Sequence, residues 1–440
     1  MSGKAVKFSE LLGFVRASLA QIPEHRRGEN GHYAIADAGL AAFSVFFMQE
    51  PSFLAYQTDM QEKHGHNNAR SLFGVAEIPS DGQIRNLLDP VDPARLGGAF
   101  WASYETLQRR GVLQAYHGAT GTQLVSLDGT QFFASQKVHC DHCRVTMRDE
   151  RTYYAHQVLL AVVGAPAQPH VICLPPEFIT PQDGAEKQDC EQQAIKRWVK
   201  QHAGHFAPWS VTVLTDDLHA HQPVCQLLRD YKLHFILTCK PDSHPALYAE
   251  LALLERVAGA VGSKSVRRWN GRAHELCQYR WASTLPIREG PAALKVNWCE
   301  LRVINQESGE QVYYNAWLTD HDLDETTVEA VAQDGRSRWK VENEGINVLK
   351  RRGYNFAHNY GHGDQHLSAV LLSLLLLAFL CHTALDLACW TYQAIRQKLR
   401  TRRKFFDDLR SLTTYLYWRS FQHLLRFMAR QLELSPPPAA

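Results

Sequence analysis

The chain has 440 residues, is 45% hydrophobic and 21% charged, and carries a formal net charge of +2. That composition suits packed domains, roughly two to four by length, and excludes a disordered or collagen-like chain. It also excludes a bulk polycation, so any contact with nucleic acid must come from local basic patches. Two such patches exist, Arg336–Arg352 and the run R-Q-K-L-R-T-R-R-K from Arg396 to Lys404. Residues 1–118 read as a helical domain. Leu11, Leu12, Val15 and Leu19 recur at helical spacing, Ala34–Met48 is apolar, and Ser80 caps a short helix that Asp89-Pro90 stops. With Lys7, Arg16, Arg26, Arg70 and Arg85 as basic points, this domain is a candidate for binding DNA ends.

At Leu124 the pattern turns to strands. L-V-S-L-D-G-T is an apolar run closed by Asp128, Thr152–Val163 is a long β-rich run, and Val171–Leu174 is a third strand. A helix over Glu186–His202 follows, then a buried strand Val211–Thr215 closed by Asp216-Asp217. A helix over Gln222–Tyr231 and a strand over Leu233–Cys239 complete this part. Three hairpin strands, helix, strand, helix, strand is the order of an α/β, ribonuclease-H-like mixed sheet, here over residues 119–240. Residues 241–311 read as a β-rich insertion, and 312–363 as the second part of the core. Residues 364–440 form a helical region that opens on the Leu-rich run Leu367–Leu380, a helix expected to be buried rather than membrane-spanning.

The densest chemistry lies between Arg336 and Gly363. An amphipathic helix is expected over Arg338–Arg352, with Trp339, Ile346 and Leu349 on its apolar face and Gly353 as its stop. Arg338 and Glu342 share a face, and Lys350, Arg351 and Arg352 follow about two turns on. In a ribonuclease-H-like sheet, Asp128 and Asp216 end adjacent strands, and Glu342 would supply a third carboxylate. Three oxygen ligands without a thiolate suit two Mg²⁺ or Mn²⁺ ions and in-line phosphoryl displacement. Asp216 is preferred to Asp217, which better suits a helix cap, and Glu344 points away from Glu342. Lys340 joins the cationic set as a DNA contact. Trp317, on the strand before the helix, is a candidate to stack on a flipped base, with core packing the stronger expectation.

The ordered set L-V-S-L-D128-G-T, V-L-T-D216-D-L-H and R338-W-K-V-E342-N-E-G-I-N-V-L-K350 resembles the DDE transposases of bacterial insertion sequences. The resemblance is to the cut-and-paste group with a tyrosine-arginine-glutamate-lysine signature, and it covers about half the chain. It implies metal binding by Asp128, Asp216 and Glu342, with phosphate contacts from Arg338 and Lys350. It also implies cleavage at transposon-end inverted repeats, strand transfer into double-stranded target DNA, and a homodimer or higher assembly on that DNA. The signature tyrosine is replaced by Gly335, and the signature lysine falls at Leu349, one residue before Lys350. Rival readings are an endonuclease of the same fold that does not join strands, and a catalytically inactive DNA-binding protein derived from a transposase.

His139, Cys140 and Cys143 form a second cluster with half the spacing of a structural zinc site. Cys173, Cys190 or His156 would complete it only through the fold, and a metal-free hairpin loop is the simpler expectation. His358, His362 and His366 are expected to pack or touch phosphate. Ten scattered cysteines and no signal-peptide-like start point to reduced thiols and a cytoplasmic, nucleoid-associated protein.

Overall fold

The computed structural model describes residues 5–26, 32–60, 66–181 and 187–435. Helices α1 (Phe8–Ala20), α2 (Ile35–Phe47), α3 (Phe53–Met60), α4 (Asp81–Leu88) and α5 (Gly97–Arg109) form the N-terminal part. The stripe Leu11, Leu12, Val15 and Leu19 is buried, as its spacing requires. Ser80 caps α4 by accepting from the Gln83 N–H at 3.3 Å.

The strands are β1 (Gln123–Ser135), β2 (Arg144–Arg148), β3 (Arg151–Gly164), β4 (Ile172–Cys173) and β5 (Glu177–Ile179). After α6 (Lys187–His202) come β6 (Val211–Thr215), α7 (Gln222–Asp230), β7 (His234–Thr238) and α8 (Pro245–Leu254). Then follow β8 (Gly262–Trp269), β9 (His274–Pro286), β10 (Lys295–Asn305) and β11 (Gln311–Thr319). They make one mixed sheet in the order β2-β3-β1-β6-β7-β11-β10-β9-β8, with β4 and β5 paired to β3. β1, β6 and β7 run parallel, and the long β1–β3 hairpin is antiparallel. The β-rich stretch is therefore continuous with the sheet: β11 pairs with β7, and β10, β9 and β8 extend it outward.

Two expectations need correction here. Asp128 does not close its strand. The parallel pairing with β6 ends at Ser126, but β1 continues along β3 to Ser135, so Asp128 sits mid-strand opposite Leu160. The helix expected over Arg338–Arg352 forms, helical from 339 to 351, but with a π-helical stretch inside it. α9 (Val328–Arg336) is followed by a turn, a π-helical stretch Val341–Ile346, and α10 (Asn347–Arg351). Trp339 opens this helix and is 41% exposed rather than on its apolar face.

The remaining helices are α11 (Leu367–Ala388), α12 (Trp390–Leu399), α13 (Arg402–Tyr415) and α14 (Phe421–Gln431). By length and composition α11 passes for a membrane span, yet 89% of its apolar window is covered by protein. α1, α2, α4 and α5 pack on it, as does β4, so the two ends of the chain share one core.

Candidate active site and basic cleft

The register of β1 and β6 runs from Gln123↔Val211 to Ser126↔Leu214. Two residues further on, the adjoining positions are Asp128 and Asp216. The π-helical stretch carrying Glu342 packs against β1 and β3. Burial pushes the Asp128 carboxyl up to about 7; Arg338 opposes the shift, and the charges of Glu342, Asp216 and Glu191 add to it. Asp128 thus lies within electrostatic reach of both other predicted acids. Glu342 accepts from the Arg338 guanidinium at 3.0 Å and keeps half its side chain exposed.

Asp216 and Asp217 have separate surroundings. Asp216 is 41% exposed and accepts from the Leu218 N–H at 3.2 Å. Asp217 is buried. It accepts from the Lys240 N–H at 2.8 Å and from the Ser243 hydroxyl, with His244 at 3.5 Å. Burial alone would raise its pKa, but those hydrogen bonds outweigh it and hold the carboxyl below its usual range. Asp217 anchors the turn after β6, which leaves Asp216 as the open carboxylate.

Sequence reasoning missed two neighbours. Glu191 on α6 is buried, and a Cβ built on Gly129 would fall 2.7 Å from its carboxyl carbon. His219, also buried, sits with Nε2 3.5 Å from both Glu191 and Asp216. Glu191 lies in an amphipathic helix with nothing in its spacing to mark it. The available signal was a glycine directly after Asp128, where a fourth carboxylate comes close to the backbone.

The expected DNA contacts divide into three groups. Arg338 and Lys350 lie on the acid side, where Lys350 Nζ donates to Thr130 Oγ1 at 3.1 Å, two residues from Asp128. The π-helical stretch also sets which side chain lies on the acid side. A π turn takes up one extra residue, so a residue eight beyond Glu342 faces where the seventh would on a regular α-helix. Leu349 is buried instead. Arg351 and Arg352 face the opposite way, into a cleft of about 1210 Å³ whose other wall carries Arg396, Arg400, Arg403 and Arg410.

Lys340 is a correction, and for Trp317 the core placement overturns the stacking alternative. Lys340 is 5% exposed and donates to the Gln168 carbonyl at 2.6 Å, so it is not a surface cation. Trp317 is 1% exposed in the core and cannot stack on a base. A Cβ at Gly335 would lie 2.6 Å from Trp317 Nε1, so the indole fills the space beside that glycine.

No protein-family model matches the sequence, and no curated protein matches it. Among solved structures, the chain is similar to the piggyBac transposase synaptic complex with hairpin DNA. That likeness has 11% identity and a TM-score of 0.40 over 99% of this chain and 82% of that chain.

The Cys/His cluster is rearranged relative to expectation. His139 turns away, with Nδ1 3.1 Å from the Lys137 carbonyl and its ring stacked on Tyr154. Cys173 is buried apart from the cluster, with its thiol donating to the Leu174 carbonyl; the Cys190 side chain lies outside the described residues. Cys140 and Cys143 instead meet His156 and His362.

Proposed function

We propose that this chain is a DDE-type DNA transposase with a ribonuclease-H-like core, cutting at transposon ends and joining them to target DNA. The observation that carries this reading is the convergence of the acids: the β1–β6 register brings Asp128 beside Asp216, and the stretch carrying Glu342, bonded to Arg338, packs on β1. Asp128, Asp216 and Glu342 would hold two Mg²⁺ or Mn²⁺ ions. The donor set is all oxygen, and burial with the neighbouring carboxylates disfavours charge on Asp128, which a bound cation would reverse. Bound there, the ions supply Lewis acidity that activates a water or 3′-hydroxyl and stabilises the leaving oxygen.

The chain's own residues supply position. His219, between Glu191 and Asp216, orients the Asp216 carboxylate. Arg338 steadies Glu342 and offers a guanidinium to the scissile phosphate. Lys350 holds the helix onto β1 beside Asp128. The arginine-lined cleft on the other side of the Glu342 segment suits a DNA backbone. A homodimer or larger assembly is part of the proposal, because two element ends must be held together.

Asp128→Ala, Asp216→Ala and Glu342→Ala are each expected to lower Mg²⁺-dependent nicking of an element-end duplex by at least about 10³-fold, with end binding retained. Retained cleavage in any one of them removes that residue from the site. Wild-type protein with duplexes ending in the inverted repeats that flank its gene separates the rivals. A joined strand supports a transposase, cleavage alone a nuclease, and a gel shift without cutting a binding protein.

The cleft has its own test. Arg351→Ala with Arg352→Ala is expected to flatten the slope of log affinity against log salt by about 2. Lys340→Ala is expected to leave that slope unchanged. A reversed pattern would place the DNA elsewhere.

A further inference from the structure

We infer that Cys140, Cys143, His156 and His362 form a closed structural zinc site, which pins the segment following Glu342 to the β1–β3 hairpin. This inference rests on the side-chain geometry and is independent of the transposase reading. The four ligand atoms lie within 4.8 Å of one another. Cys140 Sγ and Cys143 Sγ are 4.0 Å apart. His156 Nε2 is 3.6 Å from Cys140 Sγ and 3.4 Å from Cys143 Sγ. His362 Nε2 is 3.4 Å from Cys143 Sγ and 3.0 Å from His156 Nε2. Zinc at ordinary bond lengths to tetrahedral ligands requires separations of about 3.8 Å for S···S, about 3.6 Å for S···N and about 3.3 Å for N···N. The observed edges follow that order and lie close to those values.

The chemistry and the surroundings agree with the geometry. Two sulfurs and two imidazoles in a tetrahedral array suit Zn²⁺ rather than the hard cations proposed for the acid cluster. His362 Nδ1–H donates to the Gly363 carbonyl at 2.7 Å, the tautomer that leaves Nε2 free to ligate. The Cys143 N–H donates to the Cys140 carbonyl at 3.1 Å, so a tight turn presents both sulfurs to one point. Phe132 stacks on His156, and Phe133 lies against His362.

The loop bearing His362 is itself held in place. Arg85 donates to the Tyr360 carbonyl at 3.0 Å, and Asp89 accepts from the N–H groups of Asp364, Gln365 and Leu367. Gly363, at φ +71, makes the turn between those anchors. Binding would release a proton from each thiol and leave two thiolates and two neutral imidazoles around the cation. The four ligands join the loop between β1 and β2, strand β3, and the segment 20 residues beyond Glu342. The clamp thus fixes the Glu342 helix against the strand that carries Asp128.

The test uses the full chain, purified without added metal. Elemental analysis is expected to find about one zinc per chain in wild type and in Asp128→Ala, and less than about a tenth of that in His362→Ala and Cys143→Ser. Replacement of zinc by Co²⁺ in wild type is expected to give tetrahedral d–d bands and a thiolate charge-transfer band, a readout that does not depend on any variant folding. Stripping the metal is expected to speed amide exchange over residues 353–366. Zinc-free wild type that gives no thiolate–Co²⁺ band overturns the site, whether Cys140 and Cys143 titrate as free thiols or as a disulfide. Zinc lost in Asp128→Ala would move it to the acid cluster, and unchanged exchange after stripping would overturn the clamp.

Discussion

Asp128→Asn is expected to stabilise the metal-free protein at pH 8 while abolishing DNA cleavage. Burial places the Asp128 carboxyl at about 7 in the folded chain, against roughly 3.9 when unfolded. Between those values the folded state holds a proton that the unfolded state has lost. The stability associated with that proton is complete below about pH 4 and is lost as the pH rises through about 7. Asparagine fills the same volume without ionising, so the two stability curves should coincide at low pH and separate above about pH 4. After screening by the partly open site, the gain at pH 8 is on the order of 1–2 kcal/mol. Mn²⁺ should raise the melting temperature of wild type at pH 8 and leave the variant unmoved. An asparagine variant less stable than metal-free wild type at pH 8 would show that charge on Asp128 is not disfavoured, and the cation-binding argument would lose its footing.

The largest loss of stability is expected from His382→Ala. His382 on α11 is fully buried, and both ring nitrogens are engaged. Nε2–H donates to the Phe47 carbonyl at 3.0 Å, which leaves Nδ1 to accept from the Tyr354 hydroxyl at 2.7 Å. Tyr354 in turn accepts from Arg402 at 2.8 Å. Donor and acceptor roles are consistent along this whole path, from α13 through the loop after α10 to α11 and the end of α2. Truncation opens a cavity and leaves buried polar groups without partners, at a cost of about 3–5 kcal/mol. The urea midpoint should fall accordingly, with the slope of the transition unchanged. A loss below about 1 kcal/mol would mean that the core refills or that water replaces the ring. Burial also holds this imidazole well below its normal pKa. The folded state therefore resists a proton that the unfolded state accepts, and His382 withdraws stability as the pH falls below about 6.5.

How much the sequence disclosed depends on how local each cause is. Val211–Thr215 forms β6 with the expected bounds because an uninterrupted apolar pentapeptide between turn residues has few alternatives. The Ser80 cap was legible for the same reason. Lys340 was not, because a lysine looks alike in a sequence whether it is exposed or sealed in, and tertiary packing decides; Trp317 lies in the core, the stronger of its two expected places. The π-helical stretch inside the Arg338–Arg352 helix was hidden because a π turn leaves no composition signature. His362 was unreadable as a ligand for a different reason. It is 219 residues from Cys143, and only the closure of the sheet and the Asp89 anchor bring the two together.

The burial of α11 bears on how the molecule is made. Its leucines are covered by α1, α2, α4 and α5, helices synthesised more than 250 residues earlier. The Val6 N–H closes the arrangement by donating to the Ala388 carbonyl at 2.9 Å. During translation those early helices emerge with their apolar stripes uncovered and wait for a partner that does not yet exist. Contacts of such long sequence separation are slow to form, and they expose the nascent chain to aggregation until the ribosome passes Ala388. Trimming the polypeptide anywhere ahead of that point should yield insoluble material rather than an isolated, working half.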